Sequence, residues 1–246
     1  MPVWELICHQ SYDWHGLPID RSVYDNHGSA FGAQVLADGV TAGSGALRLG
    51  TGSSISVPLN PSCRTLRAVR VECTLRLTDP QPVKRMLIDC GNSFQFFIFS
   101  SGLWALHTVQ PNEPGIYFGM FGFHGFYSDG ISTVSDGLGG ANYQVPLGQW
   151  VNLAFEHDGY DAMRLFANGQ KVAERHQRFA GIRDAGMAGL RIGNAGSGTD
   201  EFLGGDIDEI KVSRLDPQAL WREFSRRPFG AVTAACWHDF LLTRGG

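Results

Sequence analysis

Between residues 68 and 79 the chain reads AVRVECTLRLTD, and its apolar and polar positions alternate throughout. Val69, Val71, Cys73, Leu75 and Leu77 share one side; Arg70, Glu72, Thr74 and Arg76 share the other. A period of two belongs to an extended chain with one face buried, so this stretch predicts a long half-buried strand. Upstream, ALRLGTGSSISVP predicts two shorter strands, Ala46–Leu49 and Ser54–Val57, about a Gly-Thr-Gly turn. Downstream, RMLIDCGNSFQFFIFSSGLWALHTV predicts three strands in succession, with turns at Gly91-Asn92 and Ser101-Gly102. The pattern is that of an antiparallel meander.

The same reading extends through GQWVNLAFEHDGYDAMRLFANGQKVAE, residues 148–174. Val151, Leu153 and Phe155 face one way, His157-Asp158-Gly159 turns the chain, and residues 163–167 run back. Asn168-Gly169 tolerates positive φ at both positions of a two-residue turn, which predicts a tight hairpin pairing Leu165 with Val172. GLRIGN and GGDIDEIKVSRL supply two more strands. A helix signal comes last: Asp216 as N-cap, Pro217 at the first helical position, Leu220 and Phe224 four apart, and Pro228 as the stop. The expected fold class is all-β, with one short C-terminal helix.

Composition narrows the function. The 32 glycines suit many tight turns, and 43% hydrophobic residues suffice for one extended core. The net charge of −4 comes without a basic stripe, which argues against nucleic acid as a partner. No apolar run approaches the roughly 18 residues of a membrane span, so no membrane insertion is expected. The start, MPVWELICHQSYDW, lacks the basic and apolar regions of a signal peptide, so folding in the cytoplasm is expected. The five cysteines (Cys8, Cys63, Cys73, Cys90, Cys236) form no C-x-x-C and no close pairing with His, which speaks for reduced thiols rather than zinc.

The order of these pieces resembles a known family. GQWVNLAFEHDG, MRLFANGQKVAE, LRIGN and FLGGDIDEIKVSRLDP follow one another as do the Gly-x-Trp strand, Asn-Gly hairpin, Gly-ended strand and Gly-x-Ile-Asp-Glu strand of laminin-G-like, concanavalin-A-like jelly-roll domains. DRSVYDNHGSAFG and GALRLGTGSSISVP resemble the opening loop and first strand pair of that family, so the likeness covers about residues 20–215. It implies a two-sheet antiparallel sandwich over residues 1–215, with residues 216–246 as a helix and apolar tail. In such a sandwich Trp150 reads as a core anchor.

The resemblance also bears on chemistry. Many domains of the family bind one calcium ion between the opening loop and the Ile-Asp-Glu strand. Carried over by motif, the ligands here are Asp20 and Asp208; the other reading of Asp208 is a buried carboxylate that caps loop amides. Glycan hydrolases of this broad fold need two carboxylates on one strand face. Asp206 and Asp208 share parity, but they lead into Ile210 and Val212 and so head for the core, while Glu209 points the other way. No period-two glutamate pair occurs, and no Gly-x-Ser-x-Gly elbow is present. The chain therefore reads as a non-enzyme.

One stretch remains, GIYFGMFGFHGFYSDG at 115–130, with six aromatic rings and five glycines. Ile116, Phe118 and Met120 share the parity of a core strand. Beyond Phe121 the glycines break the pattern, and a long Gly/Ser-rich loop follows. Phe123, His124, Phe126, Tyr127, Asp129 and Asn142 then combine ring faces with polar groups, as recognition of a glycan or cell-surface polysaccharide requires. The same rings would equally serve protein contact or loop packing. The tail, with Phe229, Val232, Trp237, Phe240, Leu241 and Leu242, is too apolar to trail in water. Its helix and Arg-Pro-Phe step resemble tails of laminin-G-like proteins of phage virions and bacterial surfaces. That likeness implies protein partners reached through the tail: further copies of the chain, or virion proteins. The expected function is a binding or adhesion module within a larger assembly, or else a structural protein that makes only protein contacts.

Overall fold

The computed structural model describes residues 4–13, 15, 17–58, 60, 62, 68–79, 84–90, 94–99, 104–110, 113–119, 124–126, 133–135, 145–158, 162–176, 189–194 and 202–215. The nine strands of the larger sheet are β1 (Trp4–Ser11), β2 (Ile19–Asp20), β4 (Gln34–Leu36), β5 (Ala46–Leu49), β7 (Val69–Leu77), β14 (Trp150–His157), β15 (Ala162–Ala167), β16 (Gln170–His176) and β18 (Gly205–Leu215). The seven of the smaller sheet are β3 (Ser29–Phe31), β6 (Ser54–Val57), β8 (Lys84–Asp89), β9 (Phe94–Phe99), β10 (Trp104–Gln110), β11 (Glu113–Gly119) and β17 (Leu190–Ile192). A separate ribbon pairs β12 (His124–Phe126) with β13 (Thr133–Ser135).

In the larger sheet the order is β16-β15-β14-β7-β18-β1-β2, with β5 on the first residues of β18 and β4 outside it. The smaller sheet runs β11-β10-β9-β8-β17-β6-β3. Among the described residues every pairing between these strands is antiparallel, as the meander pattern requires. β5 and β6 span the residues expected of them, and β7 occupies 69–77 of the expected 68–79, with its five apolar side chains buried. Phe155, from the larger sheet, meets Phe94 and Phe96 of the smaller one edge-on, with ring centroids 5.8 and 4.9 Å apart. The two inner faces close over a single core.

Four expectations need correction or fall outside this description. Asn168 and Gly169 do take positive φ (49° and 78°), but a bulge shifts the register past the turn, so Leu165 pairs with Ala173 rather than Val172. Trp150 is no core anchor. Val151, its neighbour, points inward, and the indole therefore lies half-buried on the outer face of the larger sheet. The turns at Gly91-Asn92 and Ser101-Gly102 lie outside the described residues, as do the C-terminal helix and tail. Of the five cysteines, Cys8, Cys73 and Cys90 are described; all three are buried, and burial pushes the Cys73 thiol well up. We expect native protein to leave these three thiols unlabelled by a thiol reagent that modifies them in urea; labelling without denaturant would show that the core opens.

Candidate functional site

The decisive local feature is a β-bulge in GGDIDEIKV. Ile207 lies opposite Leu75 and Ile210 opposite Cys73, so two residues of β18, Asp208 and Glu209, occupy the space of one. Both isoleucines reach the core, and the parity expected for Asp206 is reversed. Asp206 does not face the core with Ile210. It stands on the outer face, opposite Arg76 on β7 and Arg48 on β5.

There Asp206 is wholly covered by two guanidiniums. Arg48 donates to it through Nε and Nη2 (2.7 and 3.1 Å), Arg76 through Nε and Nη2 (2.9 and 2.7 Å). Arg76 also lies over the Trp150 ring, 4.8 Å from its centroid. Farther along the same face, Glu156 accepts from Arg70 (3.1 Å) and Arg164 (2.7 Å), and Arg70 covers Phe166. Arg70 also pairs with Glu72, and Arg164 with Glu174 and Asp158, so in this second cluster carboxylates offset the guanidiniums.

Beside the bulge opens a cleft of about 600 Å³, lined by Asp13, Val40, Thr41, Ala42, Gly43, Ser44, Thr74, Asp208 and Glu209. Its roof is a loop held by its own hydrogen bonds. Gly39 N donates to Ser44 O (2.5 Å), Gly43 N to Asp38 Oδ1 (2.9 Å) and Ser44 Oγ to Thr41 O (2.8 Å). Asp208 ties that roof to the sheet, accepting from Val40 N at 2.6 Å and from Ser44 Oγ at 3.3 Å. The capping role foreseen for Asp208 is thus present. Burial raises its carboxyl above the usual range, and the negative charges of Glu209 and Asp13 add to the shift, against the two hydrogen bonds. Burial also disfavours ionised Glu209, but Lys211 (2.6 Å) and His9 (3.1 Å) outweigh it and hold that carboxyl below its usual value.

Gly39 has no room for a side chain, since a Cβ there would stand 2.3 Å from Asp208 Oδ2. Gly39→Ala is expected to lift the roof off Asp208 and cost about 1–3 kcal/mol, as overpacking does. Urea unfolding checks this, and an unchanged midpoint would show that the loop yields freely.

Asp20 stands elsewhere, on β2 opposite Gln10. Its Oδ1 accepts from His9 N (2.6 Å) and Ser22 N (2.9 Å), its Oδ2 from Ser22 Oγ (2.6 Å) and Asn26 N (2.7 Å). Although burial pushes the other way, these four bonds hold the carboxyl below its usual value. Asp20 lines no part of the cleft, and the two aspartates share no hydrogen-bond partner. Among the described residues no three His, Cys, Asp or Glu side chains form a group that could hold a metal ion.

Of the other expected site residues, His124 and Phe126 stand on the β12–β13 ribbon, a two-stranded sheet of its own next to β11. Phe123, Tyr127, Asp129 and Asn142 lie outside the described residues. Sequence reasoning missed Asp13, Thr41–Ser44 and Thr74 as lining, and Arg48 and Arg76 as a pair. The available signal was the break of period two between Ile207 and Ile210, three residues apart where both need burial.

The architecture is a two-sheet jelly roll with an open cleft on its larger sheet. The chain belongs to the concanavalin A-like lectin/glucanases superfamily, laminin-G branch, whose family model matches residues 49–215. No curated protein matches its sequence. Among solved structures it is similar to domain 4 of AbnA, a GH43 extracellular arabinanase from Geobacillus stearothermophilus, in complex with arabinotriose. The TM-score is 0.60 at 16% identity, over 87% of this chain and 96% of that one. It is also similar to the binding domain of Paraclostridial Mosquitocidal Protein 1, with a TM-score of 0.57 at 13% identity, over 86% of this chain and 48% of that one. The binding domain of Botulinum Neurotoxin DC in complex with SialylT gives a TM-score of 0.56 at 12% identity, over 92% of this chain and 52% of that one. The chain thus spans about half the length of each of these two toxin domains, and at such identities the likeness concerns the fold.

Proposed function

We propose that the chain is a non-catalytic carbohydrate-binding module that takes a glycan in the cleft beside Asp208. The observation that carries this is the cleft itself, about 600 Å³ and open, lined by three carboxylate residues, Asp13, Asp208 and Glu209, and three hydroxyl residues, Thr41, Ser44 and Thr74. Sugar hydroxyls are both donors and acceptors, and such a lining meets both needs. Family and fold support the reading, two similar structures being complexes with arabinotriose and with SialylT. Commitment of the carboxylates supports a non-catalytic role: Asp206 is clamped by two arginines, Glu209 is bound by Lys211 and His9, and Asp13 pairs with Arg21 at 3.1 Å. The aromatic stretch 121–143 belongs to the proposal as a second, stacking surface.

A glycan array followed by calorimetry tests it. Thr74→Val is expected to weaken a captured glycan by about tenfold, the worth of one buried hydrogen bond. A Phe126→Ala/Tyr127→Ala double variant reports on the aromatic stretch. An array without a captured glycan, or affinities that neither variant moves, would sink the proposal.

A second reading, a structural component making protein contacts within an assembly such as a virion, is favoured by one observation. Val23, Phe31 and Val35 are 87%, 73% and 53% exposed, and Phe31 and Val35 lie on strands β3 and β4 at the edges of the two sheets. Light scattering with calcium and with chelator separates the two. A monomer indifferent to both favours the self-contained module, an oligomer favours assembly, and a calcium-dependent melting temperature would restore a structural ion.

A further inference from the structure

The strongest unassigned feature is the outer-face row Trp150, Arg76, Asp206, Arg48. Two guanidiniums share one carboxylate there, which leaves the trio with a net charge of +1 in a chain whose formal charge is −4. Both arginines bond Asp206 through Nε and Nη2, so Nη1 of each lies outside the pairing, and their side chains are 43% and 29% exposed. Asp206 itself is fully buried, so it acts as a clamp that fixes two guanidinium planes rather than as a surface anion. The half-buried Trp150 ring beneath Arg76 adds an apolar border.

This row lies two residues along β7 and three along the bulged β18 from Thr74 and Glu209, which face each other at the cleft. On β7 that step is about 7 Å. The arginine row is therefore positive, while the neighbouring cleft carries Asp13, Asp208 and Glu209.

We propose that the Arg48–Asp206–Arg76 shelf recognises the carboxylate of an acidic sugar, a uronic or sialic acid residue, while an adjoining residue of the same glycan occupies the cleft. The inference rests on the glycan reading of this face and adds the substrate class. The Nη1 of each arginine is left to donate to a carboxylate oxygen, and guanidiniums already fixed by Asp206 lose little freedom on binding.

Calorimetric titration of the full chain compares acidic and neutral partners of one skeleton, 3′-sialyllactose with lactose and trigalacturonate with its methyl ester. Within at least one pair the acid is expected to bind about tenfold more tightly, the equivalent of one charge-assisted hydrogen bond. The responding pair tells sialate from uronate. Arg48→Gln is expected to abolish the preference and leave the neutral sugar's affinity unchanged. Arg48→Lys, which keeps the charge and Asp206's second partner, is expected to restore part of it and serves should the glutamine variant fold poorly. Neutral and acidic sugars binding alike, or a preference that survives both substitutions, overturns the proposal and leaves the glycan reading standing. No binding of any of the four, with an empty glycan array, overturns both.

Discussion

Phe155→Ala is expected to destabilise the protein by about 3–5 kcal/mol, the usual cost of emptying a fully buried phenylalanine site. Phe155 is 0% exposed and is the ring of the larger sheet that meets Phe94 and Phe96 of the smaller one. Its removal takes away both edge-on contacts and leaves a void between sheets whose backbones are tied by their own ladders and cannot close it. Urea unfolding measures the loss, and the melting temperature should fall by about 10 °C. Phe166→Ala is the control: that ring lies on the outer face under Arg70, 5.3 Å from its centroid, and about 1 kcal/mol is expected. Equal losses at the two positions would mean that the sandwich core is not centred on Phe155.

The second large effect is on acid stability. His157, on β14 between Val69 of β7 and Met163 of β15, is buried, and desolvation pushes its imidazole down to about 4 from the usual 6.5, Asp158 opposing only in part. The folded pKa lies below the unfolded one, so the unfolded chain takes up its proton first as pH falls. Stability is intact above about pH 6.5 and is lost between 6.5 and about 4, by roughly 3 kcal/mol in all. Asp20, Glu174 and Glu209, held low by their partners, lose stability only at more acid pH, whereas Asp208, raised by burial, works in the opposite direction. Unfolding free energy measured from pH 7 to 5 should therefore slope in the native chain and flatten in His157→Gln. An unaltered slope in the variant would assign the acid sensitivity to other groups.

These two residues differ in how legible they are. Phe155 was readable as core from WVNLAF alone, because Val151, Leu153 and Phe155 alternate with Asn152 and Ala154 on a strand that must hide one face. His157 continues that parity, but a histidine at a strand end reads as a turn residue until its neighbours are known to cover it. Trp150 was misread for the converse reason. Large rings are mostly core, and only the inward placement of Val151 shows that the indole lies outside, under Arg76.

The strand order was legible for local reasons: hairpin turns and period-two alternation are set by neighbours in sequence, and the resemblance to laminin-G-like domains rests on such segments. Asn168-Gly169 makes its turn because those two residues accept positive φ at little cost. The site obeys other rules. Asp13, Val40–Ser44, Thr74 and Asp208 come from four separated stretches, and the bulge that directs Asp208 and Glu209 at them is a count of two residues against one on a partner strand. Asp20 and Asp208 both sit in motifs that a family pattern joins, yet each is saturated or steered by amides a few ångströms away. Which segments extend and which face most of them bury can be read from the chain alone, since both follow from local backbone preference and burial of apolar side chains. Register across the sheet is set by long-range pairing, and with it come the reversal of Asp206, its sharing by Arg48 and Arg76 and the place of the cleft. A one-residue slip leaves the composition of every strand unchanged while exchanging its two faces.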